Sequence, residues 1–307
     1  MKTTTISKTI LLILALVCTS IMIGSAQTPK QATKKTVAKT LKSSGYAPVN
    51  GLKMYYEIHG TGKPIVLLHG SYMSIDLNYG ELIPELAKTR KVIALEMQGH
   101  GRTADIDRPV SFTALADDVA KLLQYLKIDS ADVLGYSLGG TVAFEMAIQH
   151  PEMVNKLIVI SSVHKFKGWS EAVRNAMSGL SPEFLDATPL KTEYDRLAPD
   201  PKHWHSFLAK YIRLDQEDFD LGDEQIKALK VPVLLIMGDN DGVDINYKAA
   251  LYKLCGGDVF ADMAGLPPSQ LAIVPGATHV TLMMQTDKLL SFIHPFLNGT
   301  TVQMPGH

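Results

Sequence analysis

The chain has 307 residues, 46% of them apolar and 20% charged, with 30 basic against 31 acidic side chains. A chain of that length and composition can bury a large core without disulfide or metal staples, which excludes disordered, collagen-like and small cysteine-stapled proteins. A formal net charge of −1 also excludes nucleic acid as the main partner, because a protein that neutralises a phosphate backbone carries a basic excess. The charge is uneven. Residues 1–42 hold seven lysines and no acid, so the remainder, with 23 basic against 31 acidic side chains, is acidic.

Lys2 and Lys8 precede an apolar run over 10–23, and Gly24, Ser25 and Ala26 follow it. Charged, apolar and small regions in that order predict a secretory leader over 1–26, cleaved near Ala26, and an exported mature protein, periplasmic or secreted. The run is shorter than the roughly 20 residues a membrane span needs, so no stable span is expected after cleavage. Cleavage removes Cys18 and leaves Cys255 alone, so no intramolecular disulfide is expected. Residues 27–45, rich in Lys, Thr, Ala and Ser and lacking aromatic residues, read as a flexible tether.

Order is expected from Tyr46. Asn50-Gly51 between two strand-like runs predicts a hairpin. The short Val-, Ile- and Leu-rich runs at 65–68, 92–95, 132–134, 157–160, 233–237 and 271–274 suit parallel strands covered on both faces. Residues 117–126, 141–149 and 286–296 carry helical apolar spacing. With the hairpin, this predicts an α/β fold whose eight-stranded, mostly parallel sheet is flanked by helices. The core spans 46–163 and 231–297, a helical insertion spans 164–230, and 298–307 form a tail.

Gly135-Tyr136-Ser137-Leu138-Gly139 sits between a predicted strand and a predicted helix, the context in which G-x-S-x-G turns sharply and presents a nucleophilic serine. Glycine is needed at both flanks because side chains there would collide. A serine requires a base and an orienting acid. The strand at 233–237 ends in Gly238-Asp239-Asn240-Asp241, and the strand at 271–274 leads to His279, so both lie where open α/β sheets bind ligands. Of the two acids Asp241 is preferred, because Asp239 follows the strand directly and suits a turn cap. Ser137, His279 and Asp241 are therefore the expected catalytic residues, and Ser71 and Leu138 the expected donors of an oxyanion hole through their backbone N–H groups. His69 reads as a structural residue that fixes the Ser71 loop. His203 and His205 flank Trp204 without the further ligands that zinc requires. No metal is expected, and no organic cofactor, since the chemistry is complete in side chains.

These motifs, with Gln98-Gly99-His100-Gly101-Arg102-Thr103 and His150-Pro151, resemble the α/β-hydrolase superfamily, and within it the lidded single-domain serine esterases and lactonases. The resemblance covers roughly residues 46–297 and departs at Glu96, where that family has Asp. It implies a lid over 164–230 and argues against dehalogenase and epoxide hydrolase chemistry, which places Asp where Ser137 stands. Eight of the chain's 22 aromatic residues fall in the insertion, both tryptophans included, and they suit either an apolar wall over the serine or the insertion's own core; Trp169 and Trp204, with Tyr136 beside the serine, are the candidate substrate-binding residues. The expected function is a serine hydrolase acting on a small-molecule carboxylic ester or lactone. The alternatives are a thioester or carbon–carbon bond hydrolase on the same triad, or a non-catalytic ligand-binding homologue.

Overall fold

The computed structural model describes residues 40–299, so the expected leader with Cys18, residues 27–39 of the expected tether and residues 300–307 of the expected tail lie outside the described residues. Asn50 and Gly51 take positive φ values of 47° and 87°, the left-handed pair a two-residue hairpin turn requires. They join β1 (Leu41–Val49) to β2 (Leu52–His59). β1 begins five residues before the expected start of order, a correction to the tether boundary. Ser43, Ser44 and Gly45 pair with Ile58, Glu57 and Tyr56. The side chains of this edge strand are mostly exposed, so backbone pairing alone orders a segment whose composition resembles a linker.

Six strands follow: β3 (Lys63–Leu68), β4 (Arg90–Leu95), β5 (Ala131–Tyr136), β6 (Val154–Ile160), β7 (Val233–Asn240) and β8 (Gln270–Thr278). The sheet runs β1-β2-β4-β3-β5-β6-β7-β8. β1 and β4 each pair antiparallel with β2, and the remaining neighbours are parallel. Alternate residues enter two apolar clusters: Val66, Leu68, Val133, Leu157 and Leu235 on one face, Ile65, Leu67, Leu134, Ile158 and Ile236 on the other. Burial on both faces is why these strands read as unbroken hydrophobic runs.

The helices covering the sheet are α1 (Ile75–Tyr79), α2 (Leu82–Leu86), α3 (Phe112–Tyr125) and α4 (Leu138–Gln149). The insertion between β6 and β7 supplies α5 (Glu171–Ser178), α6 (Pro189–Leu197), α7 (Trp204–Gln216) and α8 (Asp223–Lys227). After β7 come α9 (Ile245–Leu254), α10 (Ala261–Ala264), α11 (His279–Met283) and α12 (Thr286–Asn298). α3 starts at Phe112, before the expected 117, because the Ser111 side chain accepts from the Ala114 amide and caps it. Tyr194, Trp204, Phe207 and Tyr211 pack ring against ring inside the insertion. Among the described residues, no helix is long and apolar enough to cross a membrane.

β3, β5, β7 and β8 are parallel, so their carboxyl ends bring residues 69–71, Ser137, 239–241 and His279 to one edge of the sheet.

Candidate active site

Ser137 joins β5 to α4 with φ 54° and ψ −120°, a strained conformation for a residue with a side chain. The flanking glycines permit it. A Cβ on Gly135 would lie 2.0 Å from the Gly139 carbonyl oxygen, and one on Gly139 would lie 2.0 Å from that of Leu68. Leu138 is the first residue of α4, so its N–H has no acceptor within the helix and lies beside Ser137 at the positive end of the helix dipole.

His279 begins α11, fixed by a reciprocal cap in which Thr278 and Thr281 each bond the other's backbone. Its Nε2 lies 3.0 Å from Ser137 Oγ, hydrogen-bond distance for a serine and its base. Burial lowers the proton affinity of His279, and the charge of Asp241 opposes that shift. A neutral imidazole able to accept the serine proton at neutral pH is the outcome.

Asp241 is buried, 3% exposed, and its carboxylate is heavily engaged. It accepts from Ser161 Oγ at 2.9 Å and from the amides of Gly238 and Val243 at 2.9 and 3.1 Å. Its Oδ1 also lies 3.0 Å from Lys248 Nζ, and both side chains of that ion pair are buried. His279 Nδ1 is buried without a hydrogen-bond partner, so the carboxylate influences the imidazole through its field. Asp239 is exposed, lies within β7 rather than after it, and accepts from the Ala277 amide of the neighbouring strand at 3.1 Å, so it braces β8 instead of capping its own turn.

The loop after β3 lies against the serine: a Cβ on Gly70 would be 3.4 Å from Ser137 Cβ. Two imidazoles hold that loop. His69 accepts the Met97 N–H at Nε2 (3.1 Å) and therefore donates from Nδ1 to the Gly70 carbonyl (2.9 Å). His100 accepts the Tyr72 N–H at 3.1 Å and donates to the Gln98 carbonyl at 3.1 Å. Burial brings His69 down to about 4 and His100 well below the usual histidine range, so both are neutral. His69 is thus the loop-fixing residue expected. Glu96 fills its departure from the resembled pattern with an ion pair to Arg102 at 2.7 Å. Burial pushes its carboxyl up to about 7. Gly101, at φ 51°, gives its carboxylate room.

The candidate substrate-binding residues separate into three cases. The Trp169 ring lies 5.7 Å from that of His279, edge to face, at the site. Tyr136 is 2% exposed, and its hydroxyl donates to the His279 carbonyl at 3.0 Å, so it supports the base. Trp204 is a correction: it is 2% exposed, donates from Nε1 to Asp186 at 2.8 Å and packs on Tyr194 and Phe207. It belongs to the insertion's own core. Sequence reasoning missed Tyr72, His100, Ser161 and Asp215, each of which reaches the site through a partner distant in the chain, and Lys248, which reaches Asp241 and Gly238 from the helix that follows them.

A shallow cleft opens between Tyr72–Ser74 and Glu193, Tyr194 and Phe207 of the insertion, with neither Ser137 nor His279 on its wall. His203 and His205 face different carboxylates, Asp200 at 3.8 Å and Asp186 at 2.8 Å. His164, Asp220 and Asp223 do gather three donor atoms. There, however, His164 is already bonded to Asp223 and to the Tyr247 hydroxyl, and Lys165 pairs with the same carboxylate. Cys255 is partly buried, which pushes its thiol up to about 12 and leaves it unreactive.

The chain is 32% identical to the 2-hydroxymuconate semialdehyde hydrolase of Pseudomonas sp. strain CF600 over 139 residues, 44% of this chain and 49% of that protein, so the match spans about half that relative's length. It is 26% identical over 276 residues to the pimeloyl-acyl-carrier-protein methyl ester esterase of Nitrosospira multiformis, covering 80% of this chain and 98% of that one. Among solved structures, a meta-cleavage product hydrolase from Pseudomonas fluorescens IP01 matches with a TM-score of 0.67 at 23% identity, over 85% of this chain and 99% of that chain, a likeness of fold. The sequence also matches the profile of the alpha/beta hydrolase fold over residues 63–216. With half the chain inside that profile and the eight-stranded sheet arranged as described, the protein belongs to the α/β hydrolase fold family.

Proposed function

We propose that this hydrolase cleaves small carboxylic esters or lactones through an acyl-enzyme on Ser137. The observation that carries the reading is the 3.0 Å approach of His279 Nε2 to Ser137 Oγ on a strained turn, with Leu138 opening a helix beside it. In the first step Ser137 Oγ bonds to the carbonyl carbon while its proton passes to His279 Nε2. The carbonyl oxygen takes the negative charge and is held by the N–H groups of Ser71 and Leu138. Collapse breaks the bond to the alcohol, which takes the proton from His279. Water then attacks the acyl-serine, gives a proton to His279, and the acid departs as Ser137 regains its own. Asp241 stabilises the imidazolium formed in each half.

A second reading, carbon–carbon bond hydrolysis, is favoured by the similarity to the semialdehyde hydrolase. It uses the same serine, base and oxyanion donors. A panel of p-nitrophenyl esters, γ-lactones, acyl thioesters and a vinylogous 1,5-diketone tests the choice. The ester reading expects the highest kcat/KM among esters or lactones, and diketone cleavage without ester turnover would replace it.

The insertion is proposed to act as a lid that selects the acyl group. Because one methylene in an apolar pocket is worth only about 1–3 kcal/mol, Trp169→Ala should reorder acyl chain lengths in kcat/KM by about tenfold. Trp204→Ala should instead lower Tm and leave that order alone. Equal losses on every substrate for Trp169→Ala would remove it from the pocket. Export is likewise proposed from the leader pattern. Amino-terminal sequencing of exported protein should begin close to Gln27, and a mature chain retaining Met1 would contradict it.

A further inference from the structure

Asp215 lies in the last turn of α7, within the insertion, and its carboxylate reaches the loop that follows β3. Oδ2 accepts from the Tyr72 hydroxyl at 2.7 Å and Oδ1 from Ser71 Oγ at 3.3 Å. Those two residues are the expected oxyanion donor and its neighbour. Tyr72 holds a φ of 63°, unfavourable for a bulky residue, and persists because its surroundings fix it: His100 accepts its N–H, Asp215 accepts its hydroxyl, and Phe207 of α7 meets its ring edge to face at 6.4 Å.

The carboxylate itself is badly placed for stability. It sits at the negative end of a helix, and among the described residues no cation pairs with it. The residue is half-buried, and a charge that loses part of its hydration without gaining a counter-ion costs folding free energy. Residues that break local rules in this way without gain to the fold are expected where function requires them.

We propose that Asp215 is a positioning residue through which the insertion holds Ser71 and Tyr72, so that the Ser71 amide stays aimed at the oxygen of the scissile carbonyl. The inference rests on the ester-hydrolase reading of Ser137 and Ser71. It makes the seating of α7 a condition for an assembled oxyanion hole.

The groups facing Asp215 are Ser71 and Tyr72 from the loop after β3, Tyr211 on its own helix and, beyond Tyr72, the neutral His100. Burial pushes the Asp215 carboxyl up to about 6, against the two hydrogen bonds that favour its charge. Above that pH the carboxylate accepts both bonds, and below it a proton occupies one of the accepting sites. The sign for stability is opposite. The folded form binds the proton more tightly than the unfolded chain, so this group's contribution to stability falls as pH rises from about 4 to about 6.

The test compares wild type with Asp215→Asn and Tyr72→Phe on p-nitrophenyl butyrate from pH 4.5 to 9, with thermal melts at each pH. Losing an oxyanion donor outright costs about 100- to 1,000-fold, so a misaimed one in Asp215→Asn should lower kcat about tenfold or more at pH 8. KM should hold within about twofold, and Tm should be unchanged or higher. The acidic limb of kcat should lose one of its two titrating groups, leaving that of His279. Tyr72→Phe should show the same kcat loss in smaller measure. Wild-type kcat and an unchanged acidic limb in Asp215→Asn would overturn the proposal, as would a fall in Tm with kcat intact. If wild type itself hydrolyses no ester and takes up no fluorophosphonate, the ester reading fails first, before any variant is made.

Discussion

Ser137→Ala should lose at least about a thousandfold in kcat and leave the melting temperature close to that of wild type. The loss is expected to be large because, in the proposed mechanism, the hydroxyl oxygen is the atom that forms the acyl bond, and nothing else at the turn can replace it. The fold survives because the strained backbone is fixed by its neighbours. Gly135 and Gly139 are packed against backbone, and the Ser137 amide donates to the Ile160 carbonyl at 3.0 Å. Alanine keeps the Cβ and removes only the Oγ that meets His279. Steady-state kinetics with a saturating p-nitrophenyl ester check the first half and a thermal melt the second. Retention of more than about a thousandth of the wild-type rate would move the nucleophile elsewhere.

Asp241→Asn is expected to lose nearly as much activity, and to lose stability as well. Neutralising the acid removes the charge that favours the His279 imidazolium, but no bond from Asp241 to His279 Nδ1 is lost with it, so the loss should stay below the roughly 10⁴ of a triad whose acid bonds the imidazole directly. It also leaves the Lys248 ammonium, 1% exposed at its side chain, without its carboxylate. Breaking one side of a buried ion pair costs about 3–5 kcal/mol. The double variant Asp241→Asn, Lys248→Met separates the two effects: stability should largely return and activity should not. Removing the Asp241 charge also lowers His279 proton affinity further, so the acidic limb of the residual kcat/KM should move to lower pH. Asp239→Asn should be mild on both counts, because its exposed carboxylate bonds an amide of the neighbouring strand β8 and does not meet His279. The reverse order of losses would assign the acid's role to Asp239.

The parts of the site legible in the sequence are those built from consecutive residues. Strand, Ser137 and helix follow one another within the chain, so glycine spacing and apolar periodicity suffice to place the turn. His279 and Asp241 follow because each ends a recognisable parallel strand. The parts that were not legible depend on pairing across distance. Leu41–Gly45 join the sheet by backbone bonds while their side chains face solvent, and no hydrophobic pattern announces such a strand. Trp204 and Trp169 are alike in composition and setting, yet one packs inside the insertion and the other meets His279. Only the path of the chain decides between those faces. Asp215 touches Ser71 across 144 positions, while Lys248, close to Gly238 and Asp241 in the chain, meets them only because α9 packs back against the end of β7. Neither residue stands out from the ordinary charged positions of an amphipathic helix.

The most direct measurement is the site of covalent capture. Wild-type protein treated with a fluorophosphonate, digested and mapped by mass spectrometry should carry one adduct, on Ser137, and the same reaction on Ser137→Ala should give none. The rate of capture should fall with acidification as His279 takes up its proton. Capture at another residue, or no capture by a folded wild-type protein at neutral pH, would contradict a nucleophilic Ser137 activated by His279.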